Sequence, residues 1–277
     1  MPALLAACAA AGVHAEIADW DDPAVAWGRF DAALLRSAWD YTERITEFLA
    51  WVERTASVTR LLNPPPVVRW NSDKHYLAEL ERHGLPIVPS GFCEPGTDAE
   101  AFLSGFLTRH PEAELVVKPA VGAGSRDTQR HRRELRGPIL AHMQRLLRAG
   151  RSVLLQPYLA RVDEAGETAL IYIDGAFSHA IRKGPLLPAG AAATQGLFAA
   201  EQISPRIPEA DERRVGARIL ERLPFPGLLY GRVDLIRGVQ GEPRILEVEI
   251  TEPSLYLPHG TGAAARLVRA TLERLGH

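Results

Sequence analysis

Val116-Val117-Lys118-Pro119-Ala120-Val121-Gly122-Ala123-Gly124-Ser125 is the stretch on which the reading of this chain turns. A short apolar run ends in a lysine and passes within a few residues into a glycine- and serine-rich turn. An ammonium at a strand end, followed by backbone N–H groups that glycine leaves accessible, suits phosphate. The stretch is neither a Walker loop nor a dinucleotide turn, since GxxxxGK[ST] and GxGxxG are both missing. A lone glycine-rich turn also fits a plain loop, so the rest of the chain has to decide.

The lysine itself is informative. Of 32 basic residues only Lys74, Lys118 and Lys183 are lysines. Arginine is a broad planar fork and lysine a compact point charge, so three retained ammonium groups index a phosphate site. The plain alternative is an arginine-rich composition with three survivors. At 277 residues the chain can bury a substantial core in two or three lobes. A formal net charge of -2 gives no case for nucleic acid or a membrane as partner. The one basic run, Arg126 to Arg136, includes Asp127 and Glu134 and reads as a solvated helix face or mobile loop. Cys8 and Cys93 make neither a disulfide framework nor a metal-spaced cluster. No apolar stretch approaches the roughly 18 residues of a membrane span. Residues 1–15 lack a basic leader and read as a helix rather than a signal peptide, so a cytoplasmic location is expected. Oligomeric state is not legible.

Residues 1–70 read as an open α/β layer on the substrate side. Leu4 to Ala11 is helical, His14 to Ala18 and Phe30 to Leu35 are strands, and Thr42 to Thr55 is an amphipathic helix. In that helix Ile45, Phe48, Leu49 and Val52 are spaced for one buried face. Arg60 to Leu62 is a further strand before a Pro64-Pro65-Pro66 break. Such a layer normally opens on a strand, whereas this one opens on a helix, so a first strand is expected to be missing. Residues 71–155 read as a small lobe and linker. It holds a helix from Lys74 to His83 capped by Asn71-Ser72-Asp73, an extended Pro86 to Pro89, and a strand Leu115 to Lys118 between the helices Ala99 to Thr108 and Gly137 to Ala149. Residues 156–277 read as a larger lobe. Its hairpin turns at Asp174-Gly175, and beyond helix Glu209 to Arg222 come strands Leu228 to Arg237 and Arg244 to Ile250, then a terminal helix.

The second chemical signal lies in those last strands. Glu247 and Glu249 have the strand period of two and share a face, and Asp234 on a neighbouring strand can meet them there. Carboxylates converging in an apolar sheet repel unless cations neutralise them, and hard oxygen donors suit Mg2+. A solvated sheet face is the alternative.

Together these residues resemble the ATP-grasp superfamily of ADP-forming carboxylate-amine ligases, and its glutathione-synthetase-like members in particular. Lys74, Val117-Lys118-Pro119, the Gly122 to Ser125 loop, Leu155-Gln156-Pro157-Tyr158-Leu159, Asp234 and Glu247-Val248-Glu249 occur in family order from about Pro64 to the C-terminus. The resemblance implies an ATP-grasp fold with Lys74 and Lys118 on the ATP phosphates. The loop with Gly122, Gly124 and Ser125 would close over them, and Gln156, Tyr158 and Leu159 would border the adenine. Asp163 would face the ribose, with Glu164 and Glu167 as competitors. Asp234, Glu247 and Glu249 would hold two Mg2+ ions, Glu249 standing where the family usually has asparagine. Arg182, Lys183 and Arg232 would face the transferred phosphate and acyl phosphate, and the Pro-, Gly- and Ala-rich run 184–196 would form a flap.

The implied partner is a small amino-acid-like substrate. Arg36, Ser37 and Asp40 follow a strand end where open α/β layers place ligands, with Trp39 and Tyr41 read equally as packing. Glu252 and Ser254 follow the metal strand, and Glu252 is a candidate for a substrate amine against the reading of a tight loop. Leu35 to Tyr41, Arg69 to Lys74 and Ile250 to Tyr256 are similar to the group whose cyclo-ligase closes O-ureido-D-serine into D-cycloserine. Intermolecular amide formation to a dipeptide-like product and an inactive nucleotide-binding protein stay open as alternatives.

Overall fold

The computed structural model describes residues 1–185, 187 and 201–276. Helix α1 (Pro2–Ala10) is followed by a run without strand pairing to β1 (Ala32–Leu34), and β1 pairs in parallel with β2 (Arg60–Leu62). The strand expected at His14 to Ala18 does not form. His14, Ala15, Glu16 and Ile17 are exposed, and no described strand offers them backbone partners. Helix α2 (Ile45–Ala56) covers the two-stranded layer through Phe48, Trp51, Val52 and Thr55. Its core is aromatic, with Tyr41 stacked on Phe48 at 4.7 Å between ring centroids.

The Pro64-Pro65-Pro66 run does not merely interrupt the chain but starts helix α3 (Pro65–Asn71). Proline lacks an N–H that the first helical turn leaves unpaired anyway. Asn71 therefore ends a helix rather than capping the next one, α4 (Tyr76–Arg82), which begins two residues later than expected. Val67, Tyr76, Leu77, Leu80, Leu85 and Ile87 of this segment share a core with the large lobe. Beyond α4 the linker docks on the large-lobe sheet, Val88 N–H donating to the Ile245 carbonyl at 2.9 Å and Ile245 N–H to the Pro86 carbonyl at 2.8 Å.

The small lobe comprises β3 (Gly91–Cys93), α5 (Ala99–Arg109), β4 (Glu114–Pro119), β5 (Gln129–Arg132), α6 (Arg136–Arg148) and β6 (Val153–Pro157). Its antiparallel sheet has the order β3-β6-β4-β5 and packs against both helices through Leu103, Phe106, Val117, Ile139, Met143 and Leu155. Strand β5 corrects the reading of the basic run as helix face or loop. It completes the free edge of β4, and Arg130 lies over the Tyr158 ring, 3.6 Å from its centroid. Tertiary partners absorb the charge that the sequence alone assigns to solvent.

The large lobe contains α7 (Val162–Ala165), β7 (Glu167–Ile173), β8 (Ala176–Lys183), β9 (Ile203–Pro205), α8 (Ala210–Arg222), β10 (Tyr230–Arg237), β11 (Pro243–Glu249) and α9 (Ala263–Leu275). The antiparallel order is β11-β10-β7-β8-β9, with α8 contributing to the core on one face and α9 to the core on the other. The β7–β8 hairpin turns at Asp174 and Gly175, both at positive φ (53° and 73°), as a two-residue turn matched to strand twist requires. Glu209 and Glu212 form a reciprocal capping box that starts α8. No described helix is long and apolar enough to cross a membrane. The flap expected over 184–196 lies mostly outside the described residues.

Candidate active site

A cavity of about 460 Å³ lies where the four-stranded and five-stranded sheets meet. The small lobe contributes Lys118, Gly122, Gly124 and Ser125, and the large lobe Lys183, Arg232, Asp234, Glu247 and Glu249. Gln156, Tyr158 and Leu159 line it where the chain leaves β6 for the large lobe. The glycine-rich loop crosses into the left-handed region at Gly124 (φ 61°) and Ser125 (φ 61°), which turns it sharply over the cavity.

Strand register explains the charged face. In the β10–β11 pair Asp234 stands opposite Glu247 and Arg232 opposite Glu249, so all four occupy one side of the sheet. The Arg232 guanidinium donates through Nε to Asp234 Oδ1 at 2.8 Å and through Nη2 to Oδ2 at 2.9 Å; Nη2 also contacts Glu249. Across the β7–β8 pair Lys183 stands opposite Glu167 and forms an ion pair with it, while its Nζ lies 2.8 Å from Asp234 Oδ2. Lys118 Nζ donates to Glu247 Oε1 at 2.8 Å. Lys74 Nζ donates to the Gly122 carbonyl at 2.6 Å and is 3.8 Å from Glu247 Oε1. All three lysines thus converge on one cavity and are buried.

The network sets the protonation states. Burial would raise the Asp234 carboxyl, but Arg232 and then Lys183 outweigh it and hold it well below the ordinary carboxylate range. Burial likewise opposes the charge on Glu247, and Lys118 and Lys74 prevail and depress it. Glu167 is raised, because burial there exceeds the pull of Lys183. Glu252 is raised as well, but unlike the others it forms no ion pair among the described residues. Burial and then the neighbouring charge of Glu249 push it up to about 8, and its Oε2 has no hydrogen-bond partner among the described residues.

Several expected site residues lie elsewhere. Arg182 does not reach the cavity: strand alternation turns it away from Lys183, and it donates to the carbonyls of Ala165 and Glu164. Asp163 is not part of the lining either; it accepts from the Tyr158 hydroxyl and from Arg130. Of its competitors, Glu164 is exposed and Glu167 lines the cavity beside Lys183. Asp40 accepts from Trp20 Nε1 at 3.0 Å and fastens the aromatic core. Ser37 is exposed at a positive φ of 62°. Arg36 donates to the Pro253 carbonyl and sits 5.8 Å from the Tyr230 ring centroid, so its guanidinium braces the loop after β11 instead of facing the cavity. Glu252 and Ser254 do line it, and the Ser254 carbonyl accepts from Arg232 Nη1 at 3.0 Å.

The structure also brings in residues that patterning left as packing or passed over. Trp39, Tyr41, Asn71, Thr251 and Tyr256 line the cavity. Asn71 pins the end of the acidic strand: its Nδ2 donates to the Val248 carbonyl at 2.7 Å, and its Oδ1 accepts from Ile250 and Thr251 N–H groups. The signal for Asn71 is its place in Trp70-Asn71-Ser72-Asp73-Lys74, and that for Thr251 and Tyr256 their place in the stretch Ile250 to Tyr256. Among the described residues no three His, Cys, Asp or Glu side chains close into a metal-ligating cluster; the carboxylates of the cavity pair with Arg232, Lys118 and Lys183.

The family description "D-cycloserine synthetase DcsG, N-terminal domain" matches residues 1–63. The cycloserine biosynthesis protein DcsG of Streptomyces lavendulae is 46% identical over 283 residues, spanning 99% of this chain and 93% of that protein. The crystal structure of D-cycloserine synthetase DcsG superposes with a TM-score of 0.93 at 44% identity, covering 99% of this chain and 94% of that one. A structure of the ATP-grasp ligase PsnB with a phosphomimetic precursor variant, Mg and ADP shares the fold at 19% identity and a TM-score of 0.62, covering 98% and 94% of the two chains.

Proposed function

The chain belongs to the D-cycloserine synthetase group of the ATP-grasp ligases, and from this premise we propose that it cyclises O-ureido-D-serine to D-cycloserine. It is an ATP-dependent, ADP-forming ligase. The substrate carboxylate attacks the γ-phosphorus of ATP, giving an acyl phosphate and ADP. The oxygen-bound ureido nitrogen of the same molecule then attacks the acyl carbon and expels phosphate, closing the five-membered ring. Water removes the carbamoyl group as carbon dioxide and ammonia. One ATP and one water thus yield ADP, phosphate, carbon dioxide, ammonia and the ring.

The observation that carries this reading is the convergence of Lys74, Lys118, Lys183 and Arg232 with Asp234, Glu247 and Glu249 on one cavity between two sheets. Lys74 and Lys118, now held by a carbonyl and a carboxylate, would exchange these partners for phosphate oxygens. Lys183 and Arg232, fixed through Asp234, would offset charge on the transferred phosphoryl group and the acyl phosphate. Backbone N–H groups of the Gly122 to Ser125 loop would cover the phosphates and exclude water from an intermediate that hydrolyses readily. Gln156, Tyr158 and Leu159 would border the adenine.

The donor set fits Mg2+ in kind. Glu247 and Glu249 are hard-oxygen ligands on the sheet face that meets the cavity, with side chains 22% and 29% exposed, and Asp234 stands opposite Glu247. These three would hold the metal, two ions being our expectation, and the bound metal supplies charge neutralisation to the phosphates. Asp234 would also remain the anchor of Arg232 and Lys183.

The test is ADP release with O-ureido-D-serine as sole substrate, with products followed by mass. Ring formation without a second amine supports cyclisation. Strict dependence on an added amine would overturn it in favour of intermolecular ligation, and absence of ADP release would overturn the ligase reading itself.

A further inference from the structure

The carboxylates of this cavity fall into two groups. Asp234, Glu247, Glu249 and Glu167 each have a lysine or arginine counter-ion within the protein. Glu252 has none. It is 94% buried, it lines the cavity, and its Oε2 makes no hydrogen bond among the described residues. A buried carboxyl left without hydrogen bond or counter-ion is costly for folding, and the same cost makes it selective for a ligand that supplies what is missing.

The surroundings of Glu252 show that its place is held firmly. The following Pro253 carbonyl accepts from Arg36, and the Ser254 carbonyl accepts from Arg232. On the preceding side, Thr251 N–H donates to Asn71 Oδ1 at 3.1 Å. Three side chains from three different segments thus fix the turn on which the carboxyl is mounted. Arg36 spends its Nη1 on that backbone carbonyl, its Nε has no hydrogen-bond partner, and it makes no ion pair with Glu252 among the described residues. What the site lacks is a compact donor cation.

We infer that Glu252 is the counter-ion for the ammonium group of an α-amino-acid substrate, and so sets which way the substrate lies in the cavity. The reacting carboxylate then points to Lys183 and Arg232, and the ammonium on the adjacent carbon points to the loop after β11. The inference rests on the ligase reading above and adds the element that recognises the substrate. It excludes carboxylic acids that carry the ureido arm but no amine. A charge-assisted hydrogen bond to a desolvated carboxylate is strong enough to discriminate on the order of 100-fold.

The experiment compares O-ureido-D-serine with its des-amino counterpart, 3-(ureidooxy)propanoic acid, by calorimetry in the presence of ADP and Mg2+. Binding is thereby read independently of turnover. Wild-type protein is expected to bind the amino acid about 100-fold more tightly than the des-amino acid, and Glu252→Gln to reduce that ratio below about fivefold. Equal binding of the two compounds by the wild type overturns the inference before any variant is made. Retention of the full ratio by Glu252→Gln overturns it as well. If the Gln variant fails to fold, Glu252→Asp keeps the charge but withdraws it, and an unchanged ratio there likewise counts against Glu252. A wild type that discriminates between the compounds but releases no ADP refutes the ligase reading and leaves the ammonium site standing.

Discussion

At the scale of the residue, the rarity of lysine proved a better guide than the abundance of charge. Lys118 is nearly buried with its Nζ 2.8 Å from Glu247. A guanidinium needs more width and a different donor geometry than this point contact provides. Lys118→Arg is expected to lower kcat/KM for ATP by about 100-fold or more while the protein remains folded, measured as ADP release beside a thermal melt; near-normal turnover would refute the special role. Lys74 and Lys118 were legible because they sit in ordered motifs. Arg182 was misread because it adjoins Lys183 in sequence, and adjacent positions on a strand look in opposite directions. Asp163 was misread because the groups that claim it, Tyr158 and Arg130, come together only in the fold.

At the scale of the element, the glycine-rich loop is held at both roots by one side chain outside the cavity. Arg151 donates through Nη1 to Asp127 at 2.6 Å and through Nη2 to the Val121 carbonyl at 3.3 Å. Asp127 also pairs with Arg145, and its carbonyl lies 3.1 Å from His142 Nε2. Arg151→Ala is expected to raise KM for ATP about tenfold with a smaller change in kcat, since it loosens the loop without touching the reacting atoms. Steady-state kinetics separate the two parameters.

The same region predicts a pH response. Burial, followed by the charge of neighbouring His131 and Arg145, pushes His142 down to about 4. The unfolded chain takes up that proton near pH 6.5, about the ordinary value. The folded state therefore binds fewer protons between these values, and stability is lost as pH falls from about 6.5 toward 4. Urea midpoints should drop between about pH 7 and 5, and His142→Gln should shrink the drop. An unaltered pH dependence in the variant would refute this. The periodic elements were legible here, α5, α6 and β4 among them. Strand β5 was not, because Gln129 to Arg132 carry no apolar alternation and form a strand only against the edge of β4.

At the scale of the whole molecule, the N-terminal layer is joined to the large lobe through buried polar atoms. Asn63 donates to the carbonyls of Tyr230 and Ile250, both at 2.9 Å, and accepts from Leu229 N–H at 2.8 Å. The Tyr230 hydroxyl lies within 3.2 Å of the carbonyls of Leu35, Leu62 and Thr251. Asn63→Ala would leave backbone groups at the start of β10 and just beyond β11 unpaired and should cost about 3 kcal/mol in urea unfolding; a loss below about 0.5 kcal/mol would refute the role. This joint was not legible, since one asparagine beside a proline run carries no periodic signal, whereas the order of lobes and motifs was.

The pairing of Glu167, Asp234, Glu247 and Glu249 with Lys74, Lys118, Lys183 and Arg232 has a further consequence. With the paired charges cancelling, and the remaining carboxyl, Glu252, raised by burial to about 8, the interior projects little field beyond its mouth, so nucleotide arrives by undirected diffusion and is held by exchange of partners once inside. Ionic strength, which screens attraction at a distance, then has little to act on. Between about 0.05 and 0.5 M salt the nucleotide association rate in stopped-flow experiments should change by less than about threefold.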